Sequence, residues 1–226
     1  MFTAEGVKII GELLKSDFQI AVIYCTDKYL PALAPDIIKK NVLLELVTET
    51  ELQKISQLEN NKAAVALVHI PSKTTRKIKT EETVLVLDGI NDPGNFGTIL
   101  RTADWFGINN IFCSENTVDI YNPKVINGSM GSIAHIQVHY GDLNQLIKDA
   151  NFTSVYGTFL NGTPIDQISV TNSNGPIAII MGSESHGIGK NVEQLITHKI
   201  TIPQKGKAES LNVAVACGIV LHQFLG

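Results

Sequence analysis

Two runs, TVLVLDGI at 83–90 and PIAIIMG at 176–182, are apolar without alternation. A strand with one wet face alternates apolar and polar residues, because successive side chains point to opposite sides. A strand covered on both faces has no such constraint, and that is the condition of a parallel sheet flanked by helices. Parallel neighbours cannot be joined by a tight hairpin; each pair needs a crossover. The sequence between and after the two runs supplies candidates. After 83–90 come a helix over about Phe96–Trp105, the strand NIFCSE, a helix in NPKVINGSMGS, the strand AHIQVHY and the helix DLNQLIKDA with Asp142 near its start. SVYGTFL is a further strand. PIAIIMG is followed by a helix in NVEQLITH, a short strand KITIP and a closing helix, SLNVAVACGIVLHQFL.

Upstream lies a smaller alternation. Residues Glu5–Leu14 have helical periodicity, FQIAVIYC reads as a buried strand, PDIIKK as a short helix and VLLELV as a strand. TETELQKISQLEN opens with Thr48 and Glu51 at capping-box spacing and so begins a helix. AAVALVHI is another strand. Residues 71–83 are polar and basic without apolar periodicity, the mark of a boundary. The organisation is therefore a small α/β unit over 1–71, a linker over 72–82 and a parallel-sheet α/β domain over 83–226.

The closing helix is apolar nearly all the way round, from Leu211 through Leu221. Such a helix is buried on most faces. Its small residues Ala214, Ala216 and Gly218 permit close approach of a neighbour, either within the core or in a second subunit.

Ligands of an open parallel sheet bind beyond the carboxyl ends of its strands, and three loops there are rich in glycine and polar groups. In the first, NDPGNFGTILRTADWFG, Asn95 is a candidate N-cap. Gly97 and Arg101 lie four apart on one helix face, so Arg101 can lean back over the glycine toward the helix mouth, where anions are favoured. A structural ion pair of Arg101 with Asp104 is the plainer alternative. The second loop, MGSESHGIGK, carries Gly182, Glu184, Gly187 and Gly189, and helix capping is the plainer role for Glu184. In the third, IPQKGKAESLNVAVACG, Ser210 can cap the last helix, while Asn212 is a poor helix former left without an evident structural role. There is no Walker lysine and no G-x-G-x-x-G, which argues against a nucleotide-binding P-loop or a dinucleotide-dependent oxidoreductase.

Taken together, the three loops resemble those of the SpoU (TrmH-like) family of RNA ribose methyltransferases, in the knotted SPOUT superfamily. The resemblance rests on Asn95, Gly97 and Arg101; on Gly182, Glu184 and Gly187; and on Ile202, Pro203, Ser210, Leu211, Asn212 and Val213, in order, over about Glu82–Gly226. The opening FTAEGVKIIGELL is similar to the start of the substrate-binding domain of ribosomal RNA members. By that comparison the chain begins late, without the basic segment usual there. The resemblance implies a deep trefoil knot, S-adenosylmethionine as methyl donor, a homodimer, and methylation of a ribose 2′-hydroxyl in RNA. Ribosomal RNA is favoured over transfer RNA. A transfer RNA 2′-O-methyltransferase and a non-catalytic RNA-binding module of the same fold are the alternatives.

Carried over by position, the catalytic set is Asn95, Arg101, Glu184, Ser210 and Asn212. Arg101 would clamp a phosphate and polarise the 2′-oxygen, since a guanidinium does not lose its proton. Asn95 and Asn212 would position the ribose or Arg101, Glu184 would orient Arg101 or Asn95, and Ser210 would help fix donor or target. Backbone at Gly182, Ile202 and Leu211 would hold the adenosine part of the donor, with Leu160 as a wall. No metal is implied.

Composition sets a few bounds. A net charge of −4 gives no general pull on RNA. Basic residues instead gather at Lys73, Arg76, Lys77 and Lys79, and more loosely at Lys199, Lys205 and Lys207. Cys25, Cys113 and Cys217 are scattered and lack metal-ligand spacing, so buried free thiols in a reducing compartment are expected. No apolar run reaches membrane-spanning length and the N-terminus lacks a signal pattern, so a cytoplasmic, non-membrane protein is expected.

Overall fold

The computed structural model describes residues 1–72, 82–168 and 175–226. The basic cluster at Lys73, Arg76, Lys77 and Lys79 lies outside the described residues, as does most of the expected linker. By their packing, the described residues form two compact units, within Met1–Lys73 plus Asp119–His135 and within Thr74–Val118 plus Ile136–Gly226.

The first unit contains β1 (Phe2–Glu5), α1 (Val7–Lys15), β2 (Ile20–Cys25), α2 (Leu30–Lys40), β3 (Leu43–Leu46), α3 (Glu49–Ile55) and β4 (Ala64–Val68). Its sheet runs β1-β4-β2-β3, with β4 antiparallel to both neighbours and β2 parallel to β3. Glu5, expected to open a helix, instead ends β1. Gly6 then turns the chain at φ +85, a conformation that favours glycine. The Glu5 carboxylate is buried but fully engaged, accepting from Gln57 N–H (2.8 Å), Asn61 Nδ2 (2.9 Å) and Ser56 Oγ. The Thr48–Glu51 capping box is formed, with Glu51 N–H donating to Thr48 Oγ1 and Thr48 N–H to Glu51 Oε2.

The rest of the chain forms β5 (Thr83–Asp88), α4 (Pro93–Trp105), β6 (Asn110–Cys113), α5 (Pro123–Ser129), β7 (Gln137–Tyr140), α6 (Leu143–Ala150), β8 (Ser154–Pro164), β9 (Ile177–Gly182), α7 (Lys190–Glu193), β10 (His198–Thr201) and α8 (Val213–Leu225). The six strands lie in the order β10-β8-β9-β5-β6-β7, and every pairing is parallel. This is the parallel sheet expected of the unalternating runs. Val84, Leu85, Val86 and Leu87 on β5 all have 0% exposure, although they point alternately to the two faces. Each such side chain contributes about 1.5–3 kcal/mol through removal from water.

Within the run 119–135, α5 packs with the first unit, where Tyr121 stacks on Phe2 with ring centroids 4.9 Å apart. The first unit thus takes a segment from inside the block 83–226.

Strand β10 lies at one edge of its sheet, yet α8 packs on α4, which follows the interior strand β5. Gly218 faces Thr102, and His222 meets the Phe106 ring. The chain between β10 and α8 therefore returns from the edge of the sheet to the helix that follows an interior strand. Cys25, Cys113 and Cys217 are free and buried, and no helix of the described residues is long and apolar enough to cross a membrane.

Candidate active site

The loops after β5, β9 and β10 converge on one oxygen atom. Glu184 Oε1 accepts from Asn95 Nδ2 at 3.0 Å, from Asn212 Nδ2 at 3.2 Å and from the Val213 N–H at 3.2 Å. Asn212 Nδ2 also donates to Asn95 Oδ1 at 2.8 Å. Three residues from three loops thus close a hydrogen-bonded triangle.

The local sequence explains each vertex. Helix α4 begins at Pro93, and its N-cap is Asp92, whose carboxylate accepts from Asn95 N–H at 2.7 Å. Asn95 is therefore not the cap expected of it. It lies in the first helical turn with its side chain free for contacts beyond the loop. An aspartate followed by proline at the first helical position was the available signal. The second vertex follows β9. Gly182 is required there, because a Cβ would fall 2.3 Å from the Gly187 carbonyl carbon. Two backbone hydrogen bonds between Ser183 and Gly187 then close a tight turn that presents Glu184. Gly187 itself has φ +66, where glycine is favoured.

The third vertex corrects another expectation. Helix α8 starts at Val213, so its cap is Asn212 and not Ser210. Asn212 Oδ1 accepts from the Ala214 and Val215 N–H groups at 3.0 and 3.3 Å. Glu184 takes the Val213 N–H, so it serves a helix start, but that of α8 and not of the next helix in sequence. A carboxylate at this helix N-terminus is also favoured by the helix dipole. The partners leave little choice in amide orientation: a carboxylate only accepts and a helix N–H only donates, so Asn95 and Asn212 must each turn their NH2 toward Glu184.

Arg101 lies two turns along α4 from its start, exposed, and makes no hydrogen bond or ion pair with any described residue. It is not paired with Asp104, nor does Glu184 hold it. Ser210 is likewise exposed and outside the triangle. An open groove of about 610 Å³ lined in part by Asp88, Glu115, Asn116, Asp142 and Lys190 shares no residue with it.

Of the expected donor residues, Gly182 and Leu211 are close in sequence to triangle residues, and Leu160 and Ile202 belong to the paired strand β8 and the end of strand β10. Leu160 is on β8, whose carbonyl there accepts from Thr201 Oγ1 at 3.1 Å; Ile202 directly follows β10; Leu211 directly precedes Asn212. Leu160 and Leu211 are 73% and 45% exposed. An uncovered leucine on β8 and another in the loop before α8 suit an apolar, flat ring such as adenine, so the side chains present fit the methyl donor that the resemblance implies.

The model of the SpoU rRNA Methylase family matches residues 82–222, and that of the MRM3-like substrate binding domain matches residues 1–66. The chain is 31% identical over 228 residues to the 23S rRNA (guanosine(2553)-2'-O)-methyltransferase RlmP of Bacillus subtilis, covering 100% of this chain and 88% of the relative. Among solved structures, an AdoMet-bound rRNA methyltransferase from Sinorhizobium meliloti superposes with a TM-score of 0.87 at 28% identity, over 99% of this chain and 86% of that one. A TrmH-family protein from Porphyromonas gingivalis gives 0.85 at 32% identity, over 99% and 88%.

Proposed function

This chain belongs to the SpoU rRNA Methylase family, and from that premise we propose how its own residues carry the family's reaction. The protein is an S-adenosylmethionine-dependent RNA methyltransferase acting on a ribose 2′-hydroxyl, and its substrate is ribosomal RNA. The observation that carries the proposal for the site is the single carboxylate oxygen that gathers Asn95, Asn212 and the start of α8.

When bound, S-adenosylmethionine supplies a methyl group on a sulfonium, a good leaving group. What remains for the protein is to align the hydroxyl and ease the loss of its proton. Backbone at Gly182, Ile202 and Leu211 would hold the adenosine part, with Leu160 as a wall. The Glu184 triangle fixes the angle between α4 and the loop before α8, and so fixes where α4 presents Arg101. Because Arg101 has no acceptor among the described residues, its planar fork is open to a phosphate of the RNA and to the 2′-oxygen. Its charge polarises that oxygen while a phosphate or water takes the proton. Ser210, outside the triangle, contacts donor or target on the loop that leads into α8.

Residues 1–71 are the substrate-binding domain in this reading, and 83–226 the methyltransferase domain, with 119–135 packed into the former. The working unit is a homodimer. Helix α8 leaves Val215 and Ile219 53% and 38% exposed, and α4 leaves Trp105 85% exposed. Apolar surface of that kind on a helix pair suits a second copy of the chain.

The test is transfer of labelled methyl from S-adenosylmethionine to RNA from a strain lacking the gene, with ribosomal and transfer pools separated. Label in the ribosomal pool, in alkali-resistant linkages and absent with Arg101→Ala, is expected. Label in the transfer pool alone would overturn the substrate, and donor binding without any transfer would overturn the activity.

A further inference from the structure

We infer that Asp88 is a positioning residue for this reaction: its carboxylate anchors the Glu184 loop, and through it the triangle that sets Asn95 and Asn212. The inference rests on the site proposed above. Asp88 is the last residue of β5 and pairs in register with Gly182, the last residue of β9. Its Oδ2 accepts from the Gly189 N–H at 2.8 Å, across 101 residues of sequence. Gly182 and Gly189 are the two ends of the loop that carries Glu184, so one residue at the end of β5 holds both, the first by strand pairing and the second by its side chain.

Apart from the Glu184 side-chain bonds and the Glu193 N–H that donates to the Gly189 carbonyl at the start of α7, the remaining bonds of that loop are internal. Ser183 and Gly187 exchange backbone hydrogen bonds of 3.1 and 2.9 Å, and His186 N–H donates to Ser183 Oγ at 3.1 Å. These shape the turn but do not attach it to anything. After Gly189 the chain enters the short helix α7, Lys190–Glu193, and Ile188 and Val192 hold this segment to the core by packing alone. Among the described residues, Asp88 is the one side chain from outside the loop that bonds its backbone. The fit is close: a Cβ on residue 189 would lie 3.2 Å from Asp88 Oδ2.

The demand on that anchor is high. Glu184 must bring one oxygen within 3.0–3.2 Å of three donors on two other loops. A catalytic constellation tolerates displacements of only about 0.5 Å. Asp88 also begins the segment that leads to Asp92, the cap of the helix bearing Asn95. It therefore ties together, at one point, the roots of both elements that the Glu184–Asn95 bond joins. Asp88 touches none of the triangle itself, so its effect is on position.

The test uses full-length protein with Asp88→Ala, which removes the acceptor, and Asp88→Asn, which keeps a neutral one. Two readouts are needed. Amide NMR follows the exchange of Gly189 N–H and the side-chain NH2 signals of Asn95 and Asn212; steady-state kinetics follow methyl transfer. With Asp88→Ala, Gly189 exchange should rise about tenfold or more as local opening becomes easier. The two side-chain signals should move toward solvent-exposed values. Turnover should fall by about tenfold or more while KM for RNA stays within about threefold, the pattern of misalignment. Asp88→Asn should restore most of each. Unchanged asparagine signals in Asp88→Ala would overturn the inference, and so would moved signals with full turnover. An Asp88→Asn protein as impaired as Asp88→Ala would also overturn it, since charge and not the bond would then matter. Wild-type protein that methylates no RNA would sink the functional reading alone, and the amide signals would still decide whether Asp88 holds the loop.

Discussion

Asn212 Nδ2 lies 2.8 Å from Asn95 Oδ1, although 117 residues separate them in sequence. The same Asn212 caps α8 through its other amide atom. One side chain thus joins a helix start to a neighbouring helix, and the two duties are separable by mutation. Asn212→Ala should cost about 1 kcal/mol of stability, the usual worth of an N-cap. Asn212→Ser should retain the cap and stay within about 0.5 kcal/mol of wild type by denaturant unfolding, since Ser is nearly as good a cap as Asn. Both variants lose the donor to Asn95 and Glu184, and both should lose methyl transfer by about tenfold or more. Full activity in Asn212→Ser would show that capping is the residue's whole contribution.

Arg101 offers a test of charge against shape. Lysine keeps the charge but replaces a planar fork with a point donor. Arg101→Lys should therefore retain RNA binding within about threefold and lose turnover by about a hundredfold, the scale of one lost transition-state donor. Near-normal turnover in single-turnover kinetics would rule out a bidentate clamp. Because Arg101 is exposed and has no partner among the described residues, the melting temperature of Arg101→Lys should be unchanged.

The bared face of α8 predicts the oligomeric state. Light scattering should give twice the chain mass for wild type. Val215→Lys places a charge on a residue 53% exposed, which a lone chain tolerates and a dimer interface does not. Its dimer should weaken by about tenfold or more, each tenfold being about 1.4 kcal/mol. A dimer unaffected by both Val215→Lys and Trp105→Lys would place the contact elsewhere.

Buried thiols predict a stability trend at high pH. Burial pushes Cys217 from an ordinary 9.0 up to about 12, and Cys113 is raised well above the same value by the same cause. A raised acid is neutral when folded and ionises more easily when unfolded. Its contribution is complete below the unfolded value of 9.0 and is lost as pH climbs toward about 12. Denaturant unfolding at about pH 7.5 and about pH 10.5 should show a smaller loss in Cys217→Ala than in wild type. An equal loss in the two proteins would mean that Cys217 is not shielded from water. Native protein should also resist thiol alkylation until unfolded.

The sequence alone was enough for the parallel sheet, because β5 and β9 are buried on both faces and their unalternating runs record it directly. The Thr48–Glu51 box was readable for a related reason: both partners lie within one turn. The family motifs were readable because they are short and ordered along the chain. Helix starts were less so. Asn95 and Ser210 are good capping types, but Asp92 and Asn212 took the role, since propensity names several candidates within three residues and only backbone geometry selects one. The path of 119–135 into the first unit left no local mark, because Phe2 and Tyr121 gain their contact only when distant segments meet. The triangle of Asn95, Glu184 and Asn212 has the same origin. Each residue type was legible as polar and well placed at a strand end, but a hydrogen bond depends on tenths of an ångström. Those distances were decided by how α8 returns to α4 and by how Asp88 holds the loop between Gly182 and Gly189.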